Sequence, residues 1–537
     1  MASGTLAELL ERLAGYRNGV HFPESGEVLE YQRIPELAYG LANDLLIEGV
    51  TGGDIVGILA PACPGFFQAY FGAIAAGAGT CVLPVPSLGA DLAERLAPML
   101  EATGIRHVVV AGAFGGFAPA LSEAWGIPVL RAEDSPPGPT PPAALAGVDA
   151  DQVAMMTFTS GSVGRPKGVQ LTHDAICEAN RDVAEVCGLS ASDVFCSWLP
   201  LSHDFGINTV LIAMFNDAAL HQFNPVQFIR DTQGFLRHVG ESGATVVPGP
   251  NFGFERMAAA AANWTGPQPD LSRWRMAWSG GEVVQPVTVT RFRDSLARFG
   301  LAPTVMSPAY GMAEFAGPIC GIPEPERWNV VAVRRDSLVD GGAVEFEPAD
   351  ATGSGIRQII SSGPGFGRTR IRIVDRSGNP LPDRHFGEIE ARGPGQMSGY
   401  RTVAQPLPGG ELGWFATGDT GFVYGGELYI AGRRKEMIIV AGRNFHAEDV
   451  EQIAGAVPGV YKGHAAAIAD TLGERIVVFA ESVAPDGVGE QVRAAVAEHL
   501  GLARVDVRVV GRGELPRTTS GKWRRQELRE RLAGEAR

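Results

Sequence analysis

Residues 157–168 read Thr-Phe-Thr-Ser-Gly-Ser-Val-Gly-Arg-Pro-Lys-Gly and directly follow the apolar, strand-like run 153–156. The glycines allow positive φ and a close approach of the backbone, the hydroxyl side chains offer hydrogen-bond donors, and Lys167 supplies a point charge. This combination predicts a loop that binds a polyphosphate. It is not a Walker A sequence, because no Gly-Lys-Ser/Thr opens a helix here. A flexible serine- and glycine-rich hairpin with a chance lysine is the alternative that this stretch alone leaves open.

Further motifs follow this loop in a fixed order along the chain. They are Trp198-Leu199-Pro200-Leu201-Ser202-His203-Asp204, Ser279-Gly280-Gly281-Glu282, Tyr310-Gly311-Met312-Ala313-Glu314, Trp414-Phe415-Ala416-Thr417-Gly418-Asp419, Gly432-Arg433-Arg434-Lys435-Glu436 and Pro516-Arg517-Thr518-Thr519-Ser520-Gly521-Lys522. Together they resemble the adenylate-forming superfamily, which includes acyl-CoA synthetases, fatty acyl-AMP ligases, peptide-synthetase adenylation domains and luciferases. The resemblance covers nearly the whole chain, and the shared order makes chance similarity negligible.

The composition is that of an ordinary globular protein with an acidic surface. The chain of 537 residues exceeds what one hydrophobic core usually supports, so at least two domains are expected. The formal charge of −15 argues against nonspecific binding to nucleic acid or to an anionic membrane. No run reaches the roughly 18 to 20 apolar residues of a membrane span, and the leucines at 6, 9, 10 and 13 predict an amphipathic helix rather than a secretory signal. We therefore expect a cytoplasmic protein.

The pattern of apolar residues predicts the fold class. Strand-like runs alternate with helix-like segments, as where 55–59 precedes 66–76, and this alternation indicates parallel sheets covered by helices. From about residue 370 short alternating strands predict a small antiparallel β-barrel, and after Gly432 a compact α+β tail begins. The predicted fold is therefore α/β, with a large N-terminal domain over 1–432 and a small mobile C-terminal domain over 433–537. The resemblance makes 433–435 the hinge, with Lys435 as the hinge residue, although three adjacent cations are also typical of a solvated turn.

The resemblance implies a chemistry that is dominated by charge. A carboxylate is a poor electrophile, so it is first converted to a mixed anhydride by attack on the α-phosphate of ATP, with release of pyrophosphate. Lys522 resembles the lysine that bridges the carboxylate and the α-phosphate, a contact worth about 4 kcal/mol of Coulomb energy at roughly 4 Å and an effective dielectric near 20. A surface lysine in a basic tail is the other interpretation. Glu314 and Thr159 are expected to hold Mg²⁺, which favours a few hard oxygens together with substrate phosphates.

The resemblance also implies the nucleotide contacts. Tyr310 is expected to pack against adenine, and Asp419 to accept hydrogen bonds from both ribose hydroxyls, since a carboxylate offers two acceptor oxygens. Arg433 is expected to supply a second ribose or phosphate contact. A core tyrosine and a helix-capping glutamate remain the alternatives for Tyr310 and Glu314. The predicted nucleotide-binding residues are Thr159, Ser160, Gly161, Ser162, Lys167, Gly281, Glu282, Tyr310, Gly311, Met312, Asp419, Arg433 and Lys522.

The adjacent His203 and Asp204 permit two interpretations. They could form a catalytic dyad, but adenylation needs no general base, because the substrate acid is already ionised at pH 7. We therefore predict that His203 positions the substrate. Asp204 does not establish an amino acid substrate, because acyl-AMP ligases carry the same pair with plain acyl substrates. The predicted substrate-binding residues are His203, Asn208, Thr209 and Gly311.

Within the superfamily the local match is to fatty acyl-AMP ligases, on the segments 197–203, 248–252 and 438–444. The stretch 324–358 falls where those ligases carry an insertion thought to restrict domain rotation. That restriction is associated with transfer of the acyl group to a carrier-protein phosphopantetheine rather than to free CoA. The chain departs from the branch at Phe205, at Asn208 and Thr209, where a glycine pair is common, and at 445–447.

These features predict an ATP- and Mg²⁺-dependent ligase that forms an acyl-AMP from a carboxylic acid and passes the acyl group to an acyl carrier protein. An acyl-CoA synthetase that uses free CoA is the nearest alternative, and a noncatalytic nucleotide-binding regulator on the same fold is a remote one. Asn208 and Thr209 are expected to fill the acyl pocket and to add polar groups there. Because an unpaired buried polar group costs about 1 to 3 kcal/mol, a short, medium or functionalised acid is expected over a long saturated one.

Overall fold

The computed structural model describes residues 4–84, 92–159, 167–322, 328–353, 355–401, 413–440, 443–470, 475–501, 505–517 and 523–535. The predicted site residues Ser160, Gly161, Ser162 and Lys522 lie outside these ranges.

Helices α1 to α14 span, in chain order, Leu6–Leu13, Ile34–Ile47, Pro64–Ala75, Leu92–Thr103, Ala118–Trp125, His173–Val186, Asp204–Phe215, Pro225–Arg230, Thr232–Glu241, Asn251–Ala262, Pro286–Leu296, Ala447–Gly455, Val488–Leu500 and Arg525–Glu535. Strands β1 to β14 span Gly19–Phe22, Glu27–Glu30, Ile55–Leu59, Gly79–Val82, His107–Val110, Val129–Arg131, Val153–Thr159, Lys167–Thr172, Val194–Ser197, Ala219–Gln222, Val246–Gly249, Met276–Ser279, Met306–Gly311 and Pro318–Gly321. Strands β15 to β27 span Val330–Arg334, Phe346–Glu347, Ile356–Ile360, Arg370–Val374, Gly387–Arg392, Gly399–Arg401, Phe415–Tyr424, Glu427–Arg433, Met437–Val440, Arg443–His446, Ala465–Ala469, Ile476–Glu481 and Val505–Val510.

Two large, mainly parallel sheets confirm the predicted α/β architecture. The first has the strand order β14-β13-β12-β11-β9-β10-β1-β2, and its neighbours from β13 to β1 run parallel. The second has the order β20-β8-β7-β4-β3-β5-β6, with parallel pairing from β7 to β6. In such sheets ligands bind beyond the carboxyl ends of the strands. The segments that follow β9, β11, β12 and β13 therefore meet at one edge.

A buried helical layer joins the two sheets. Helix α3 is apolar on all sides, and the rings of Phe66, Phe67, Tyr70 and Phe71 are all buried, as expected for a helix enclosed by a core. The predicted N-terminal amphipathic helix is confirmed as α1, whose leucines are all buried and whose first turn is closed by a capping box between Thr5 and Glu8. Along the described ranges, no helix combines the length and the apolar character needed to cross a membrane.

Residues 330–433 form smaller antiparallel sheets, in the region where short alternating strands were predicted. Strands β16-β15-β17 form one sheet and β18-β19-β21-β22 form another. An isolated β-bridge between Ser361 and Tyr429 connects the two sheets. Among the described residues, the strand pairings do not close either sheet into the predicted barrel. The second sheet carries β21 and β22, which bring Asp419 opposite Arg433.

The C-terminal residues have hydrophobic clusters of their own. Strands β25, β26 and β27 form a sheet against which α12 and α13 pack, and the buried side chains between them come from residues 438–505. A second cluster on the same sheet includes Leu515 and, from α14, Leu528.

Buried ion pairs connect these C-terminal residues to the preceding sheets. Asp449 on α12 accepts a hydrogen bond from Arg335 and lies 3.1 Å from Nε of Arg357 on β17. Arg357 is 6% exposed and also donates to the carbonyl oxygen of Ala431 at 2.6 Å. Burial lowers the pKa of Arg357 and Asp449 opposes that shift. A buried guanidinium needs such a counter-charge, so the position of α12 is coupled to β17.

We expect Asp449→Asn to loosen this connection, because it leaves Arg357 buried without a formal counter-charge. Removing one partner of a buried ion pair commonly costs about 3 to 5 kcal/mol. Hydrogen–deuterium exchange should become faster in α12 and β17 and stay unchanged in the second large sheet. The control Asp336→Asn breaks an exposed pair with Arg334, which is worth about 0 to 1 kcal/mol, and should leave exchange at the wild-type level. Identical exchange in both variants would contradict the coupling.

Candidate active site

The site forms where the strands of the first sheet end. Gly249 pairs with Ser279, and Ser279 pairs with Pro308, so the segments after β11, β12 and β13 leave the sheet side by side. Gly281 has φ of +80°, which favours glycine, and a Cβ placed there would come 3.9 Å from Cδ1 of Phe205. Of the predicted nucleotide-binding residues, Gly281 therefore lies against the start of α7, whereas Glu282 accepts a hydrogen bond from the amide of Phe252 at the start of α10 at 2.7 Å.

Asp419 contacts two of the other predicted nucleotide-binding residues, Tyr310 and Arg433. Its Oδ2 accepts a hydrogen bond from the Tyr310 hydroxyl at 2.5 Å, and its Oδ1 lies 3.2 Å from Nε of Arg433. Its own amide donates to Oγ1 of Thr417 at 3.1 Å. The carboxylate is 6% exposed. A carboxylate can accept several hydrogen bonds at once, which is the property needed to receive the two hydroxyls of a ribose.

The Tyr310 hydroxyl donates a hydrogen bond to Asp419 and is held in its protonated form. Burial, followed by the Asp419 charge, raises the pKa of Tyr310 well above its usual value. The tyrosine is 9% exposed and packs among Phe315 and Ile319. Tyr310 is thus a core residue, which was one of the two interpretations of the sequence, and it also holds Asp419; its packing against adenine stays a prediction.

Glu314 is the second buried carboxylate of the site. It is 6% exposed, and its Oε1 accepts a hydrogen bond from the Tyr400 hydroxyl at 2.6 Å. Burial raises the pKa of Glu314, the Tyr400 hydrogen bond lowers it, and Asp204 and Arg433 add smaller opposing effects. The charges of Asp204 and Arg433 are therefore both felt by Glu314.

Tyr400 was missed by the sequence analysis. It lies on β20 and pairs with Val169 of β8, which places its ring beneath Lys167, whose Nζ is 5.4 Å from the ring centroid. That geometry is a cation–π contact. Tyr400 thus links the lysine of the predicted phosphate loop to Glu314. The hydrogen bond between Tyr400 and Glu314 joins residues 86 positions apart, and no local sequence pattern predicts it.

The predicted phosphate loop connects two antiparallel strands. Thr159 at the end of β7 pairs with Lys167 at the start of β8. The loop does not lead into a helix, in agreement with the absence of a Walker A sequence. Thr157, two residues earlier, is 6% exposed and its Oγ1 has no hydrogen-bond partner among the described residues.

The donor set fits an ion such as Mg²⁺ that binds mainly to nucleotide phosphates. Among the described residues, no group of three or more His, Cys, Asp or Glu side chains is arranged to hold a metal ion. Mg²⁺ in nucleotide sites needs one or two protein carboxylates besides phosphates and water. Glu314 meets that need, because its buried carboxylate forms no ion pair with any of the described residues.

His203 is oriented by the first residues of α7. Its Nδ1 lies 2.6 Å from Oδ1 of Asp204 and accepts from the amide of Phe205 at 3.3 Å. Gly206, in the same turn, has no space for a side chain, because a Cβ there would come 2.0 Å from the carbonyl oxygen of Pro200. The ring of His203 is therefore held in place by its own helix start, which favours a positioning role.

The sequence profile of AMP-binding enzymes matches residues 10–401, well over half of the chain. The chain belongs to the AMP-binding enzyme family. It is 30% identical to the long-chain-fatty-acid–AMP ligase FadD32 of Mycolicibacterium smegmatis over 71% of this chain and 69% of that protein. It is 28% identical to the medium-chain-fatty-acid–[acyl-carrier-protein] ligase JamA of Moorena producens over 98% of this chain and 94% of JamA. A solved structure from a study of fatty acyl-adenylate ligases of E. coli and L. pneumophila superposes with a TM-score of 0.87 at 25% identity, covering 99% of this chain and 98% of that one.

Two polar residues of this AMP-binding enzyme lie on α7, where the acyl pocket was predicted. Asn208 is 7% exposed, and its Oδ1 has no partner among the described residues. Thr209 is fully buried, but its hydroxyl donates to the carbonyl oxygen of Phe205 at 2.8 Å. The expectation that both residues add unpaired polar groups is therefore wrong for Thr209, because a helical threonine can bond the carbonyl four residues earlier.

The predicted hinge lies in a short turn between strands. Lys435 is exposed in a turn over 434–436 that follows β22. Gly432, just before it, has φ of +148°, and a Cβ there would come 2.8 Å from Nδ1 of His446. Burial lowers the pKa of His446 to about 3, so the ring is neutral at physiological pH. Close packing thus surrounds the turn on its N-terminal side.

We expect Tyr400→Phe to narrow the pH range of activity. The hydroxyl lowers the pKa of Glu314, so its loss raises that pKa further and protonates Glu314 at higher pH. A hydrogen bond to a charged group is worth about 1.5 to 3 kcal/mol, so activity should fall about tenfold or more under mildly acidic conditions and recover as the pH rises. The measurement is the pH dependence of pyrophosphate release. Tyr424→Phe, on an exposed tyrosine, is the control, and an acidic limb that does not move in Tyr400→Phe would remove Tyr400 from the site.

Proposed function

We propose that this AMP-binding enzyme activates a carboxylic acid with ATP and Mg²⁺ to an acyl-AMP, releases pyrophosphate, and transfers the acyl group to the phosphopantetheine thiol of an acyl carrier protein. The observation that carries the proposal is the pair of buried carboxylates at one edge of the first sheet. Asp419 is held by Tyr310 and Arg433, and Glu314 is held by Tyr400. The first suits a ribose diol and the second a cation on the phosphates.

In the first half-reaction a carboxylate oxygen attacks the α-phosphorus of ATP, and the bond from that phosphorus to the β-phosphate oxygen breaks. No proton has to be removed, because the acid is ionised at pH 7. Asp419 and Tyr310 orient the nucleoside, and Lys167, fixed over the Tyr400 ring, attracts the phosphates. Glu314 would hold Mg²⁺, which neutralises charge on the phosphates when bound. Lys522 would stabilise the charge that develops at the α-phosphate.

In the second half-reaction the thiol sulfur attacks the acyl carbonyl carbon. The bond from that carbon to the phosphate oxygen breaks, AMP leaves, and the thiol proton is released to solvent. The residues 433–435 would serve as the hinge for the change of arrangement between the half-reactions, with 1–432 and 433–537 as the moving bodies. Asp449, paired with Arg335 and Arg357, would hold one arrangement.

Two observations support a carrier protein as the acceptor. JamA, which aligns over 98% of this chain, is named as a ligase of acyl carrier protein. The ion pairs of Asp449 join it to Arg335 and Arg357, which both lie in the stretch 324–358 where the sequence analysis placed the insertion. A restricted C-terminal segment would disfavour the arrangement in which free CoA enters.

The decisive experiment offers both acceptors to the same acyl-AMP. We expect pyrophosphate release with a panel of carboxylic acids, thioester formation on a holo acyl carrier protein, and at least about tenfold slower transfer to free CoA. Apo carrier protein, which lacks the thiol, is the control. Faster transfer to CoA would identify an acyl-CoA synthetase, and absence of pyrophosphate release with every acid would indicate a nucleotide-binding regulator.

The acyl preference provides a second prediction. The Oδ1 of Asn208, which has no hydrogen-bond partner among the described residues, disfavours contact with a methylene chain at a cost of about 1 to 3 kcal/mol. Each buried methylene contributes only about 0.8 kcal/mol. We therefore expect a preference for short, medium or functionalised acids, shifted toward longer chains in Asn208→Gly/Thr209→Gly. Asn208→Gly alone should account for most of the shift, because the Thr209 hydroxyl is already paired. Adenylation rates across a chain-length series test this, and an optimum at long saturated chains in both proteins would refute it.

A further inference from the structure

Arg525, the first residue of α14, connects three segments of the C-terminal region through one guanidinium. Its Nη2 and Nε lie 2.8 and 3.1 Å from the two carboxylate oxygens of Glu451 on α12. Its Nη1 donates to Glu436, in the turn over 434–436, at 2.6 Å. The Arg525 side chain is 11% exposed. A guanidinium suits this place, because its planar group presents N–H donors to two carboxylates in a fixed geometry.

Three carboxylates surround the Arg525 guanidinium. Besides Glu436 and Glu451, Glu448 on α12 lies 4.0 Å from its Nη2. Burial raises the pKa of Glu451 to about 7 and that of Glu448 to about 8, and Arg525 opposes both shifts. Removing the positive charge would leave these buried carboxylates without compensation. A substitution that keeps the charge is therefore needed to test the geometry of the contacts separately from the stability of the fold.

The turn that Arg525 contacts is the predicted hinge. Glu436 directly follows Lys435, the predicted hinge residue. The contacts of Arg525 to Glu436 and to Glu451 therefore join the residues at which the proposed rotation begins to α12 and to the start of α14.

The start of α14 is also close in sequence to Lys522, which precedes Arg525 by three residues. The described residues on either side of the Lys522 segment contact each other. Arg517 and Trp523 form an antiparallel β-bridge, and the guanidinium carbon of Arg517 lies 3.9 Å from the centroid of the Trp523 ring. This is a cation–π contact. The two flanks of the segment are therefore held together directly before Arg525.

Two further contacts fix these flanks. The amide of Arg524 donates to the carbonyl oxygen of Pro516 at 2.9 Å. The Trp523 ring meets the ring of His464 edge-on, with centroids 5.9 Å apart, and His464 lies 2.6 Å from Glu481 of β26. The flanks thus rest on the C-terminal sheet.

The short separation between Arg525 and Lys522 makes the position of one depend on the other. Three residues extend at most about 11 Å, so a displacement at the start of α14 is passed to Lys522. In a reaction that depends on the placement of charged groups, a displacement of about 1 Å can reduce the rate about 100-fold. The contacts of Arg525 are therefore able to control a step that Lys522 assists.

We propose that Arg525 is a positioning residue for acyl-AMP formation. By binding Glu436 and Glu451 together, it joins the hinge turn to α14 and sets the place of Lys522 at the α-phosphate. This inference rests on the proposed function, in which Lys522 stabilises the charge that develops at that phosphate. Arg525 acts through Lys522, so it has no role in the transfer of the acyl group to the thiol.

The test is Arg525→Lys, which keeps the positive charge but replaces the planar guanidinium with a single ammonium group. We expect kcat for pyrophosphate release to fall about tenfold or more, because Lys522 is displaced. Transfer from presynthesised acyl-AMP should stay close to the wild-type level. The matched control Arg531→Lys makes the same change on an exposed arginine of α14 that pairs with Glu527, and it should change neither rate.

A double-mutant cycle separates this role from a general loss of structure. If Arg525 acts through Lys522, adding Arg525→Lys to Lys522→Ala should not reduce the residual pyrophosphate release any further. Losses that multiply, or equal losses in the two half-reactions of Arg525→Lys, would overturn the assignment and leave the proposed function intact.

Glu436→Gln tests the contact to the hinge turn alone. Its melting temperature should not fall, because Arg525 keeps both contacts to Glu451, but pyrophosphate release should slow several-fold while transfer from acyl-AMP does not. Pyrophosphate release at the wild-type rate in Glu436→Gln would overturn the connection from the hinge turn to Lys522. If the wild type releases no pyrophosphate with any acid, the proposed function and this assignment are both overturned.

Discussion

A carboxylate that is removed from water must find hydrogen bonds and positive charge, and Asp419 is the residue around which the site satisfies that requirement. Tyr310 reaches it from the first large sheet, and Arg433 reaches it from the neighbouring strand of an antiparallel sheet. Because Arg433 directly precedes the turn at 434–436, the same carboxylate also fixes the point from which the C-terminal residues depart. If Asp419 binds the nucleoside as proposed, nucleoside recognition and the arrangement of the C-terminal part of the chain are coupled through one buried charge.

The two buried carboxylates differ in their partners, and the difference supports the roles proposed for them. Asp419 already has a guanidinium beside it, and a carboxylate with its charge compensated in this way suits neutral donors such as ribose hydroxyls. Glu314 has a hydrogen bond from Tyr400, and burial still raises its pKa. It therefore gains most from an added cation, which is what Mg²⁺ on the nucleotide phosphates provides. Tyr400 connects this carboxylate to Lys167, so the phosphate loop and the predicted metal ligand are held in a fixed relation.

Local periodicity and motif order were sufficient to predict the parallel sheets, the helix of residues 6–13 and the motifs that gather at the strand ends. These features depend on residues close in sequence, or on the rule that parallel strands end at a common edge. The Tyr400–Glu314 hydrogen bond and the Asp449–Arg357 ion pair could not be predicted, because each joins residues that are distant in sequence and lacks a local pattern. The hydrogen bond of the Thr209 hydroxyl was missed for a different reason. It forms only because the helix places the carbonyl oxygen of Phe205, four residues earlier, next to the Thr209 side chain. The roles assigned to Ser160, Gly161, Ser162 and Lys522 stay predictions, since those residues lie outside the described ranges.

The most direct measurement of the central claim compares ATP with 2′,3′-dideoxy-ATP in pyrophosphate release by the wild type and by Asp419→Asn. If Asp419 receives the ribose hydroxyls, the wild type should prefer ATP in kcat/KM by about 10- to 100-fold, the range expected for hydrogen bonds to a charged group worth about 1.5 to 3 kcal/mol. Asp419→Asn should lose most of that preference, with a larger loss of kcat/KM for ATP than for the dideoxy analogue. A preference for ATP that is the same in both proteins would contradict the account, because Asp419 would then hold Tyr310 and Arg433 without contacting the ribose.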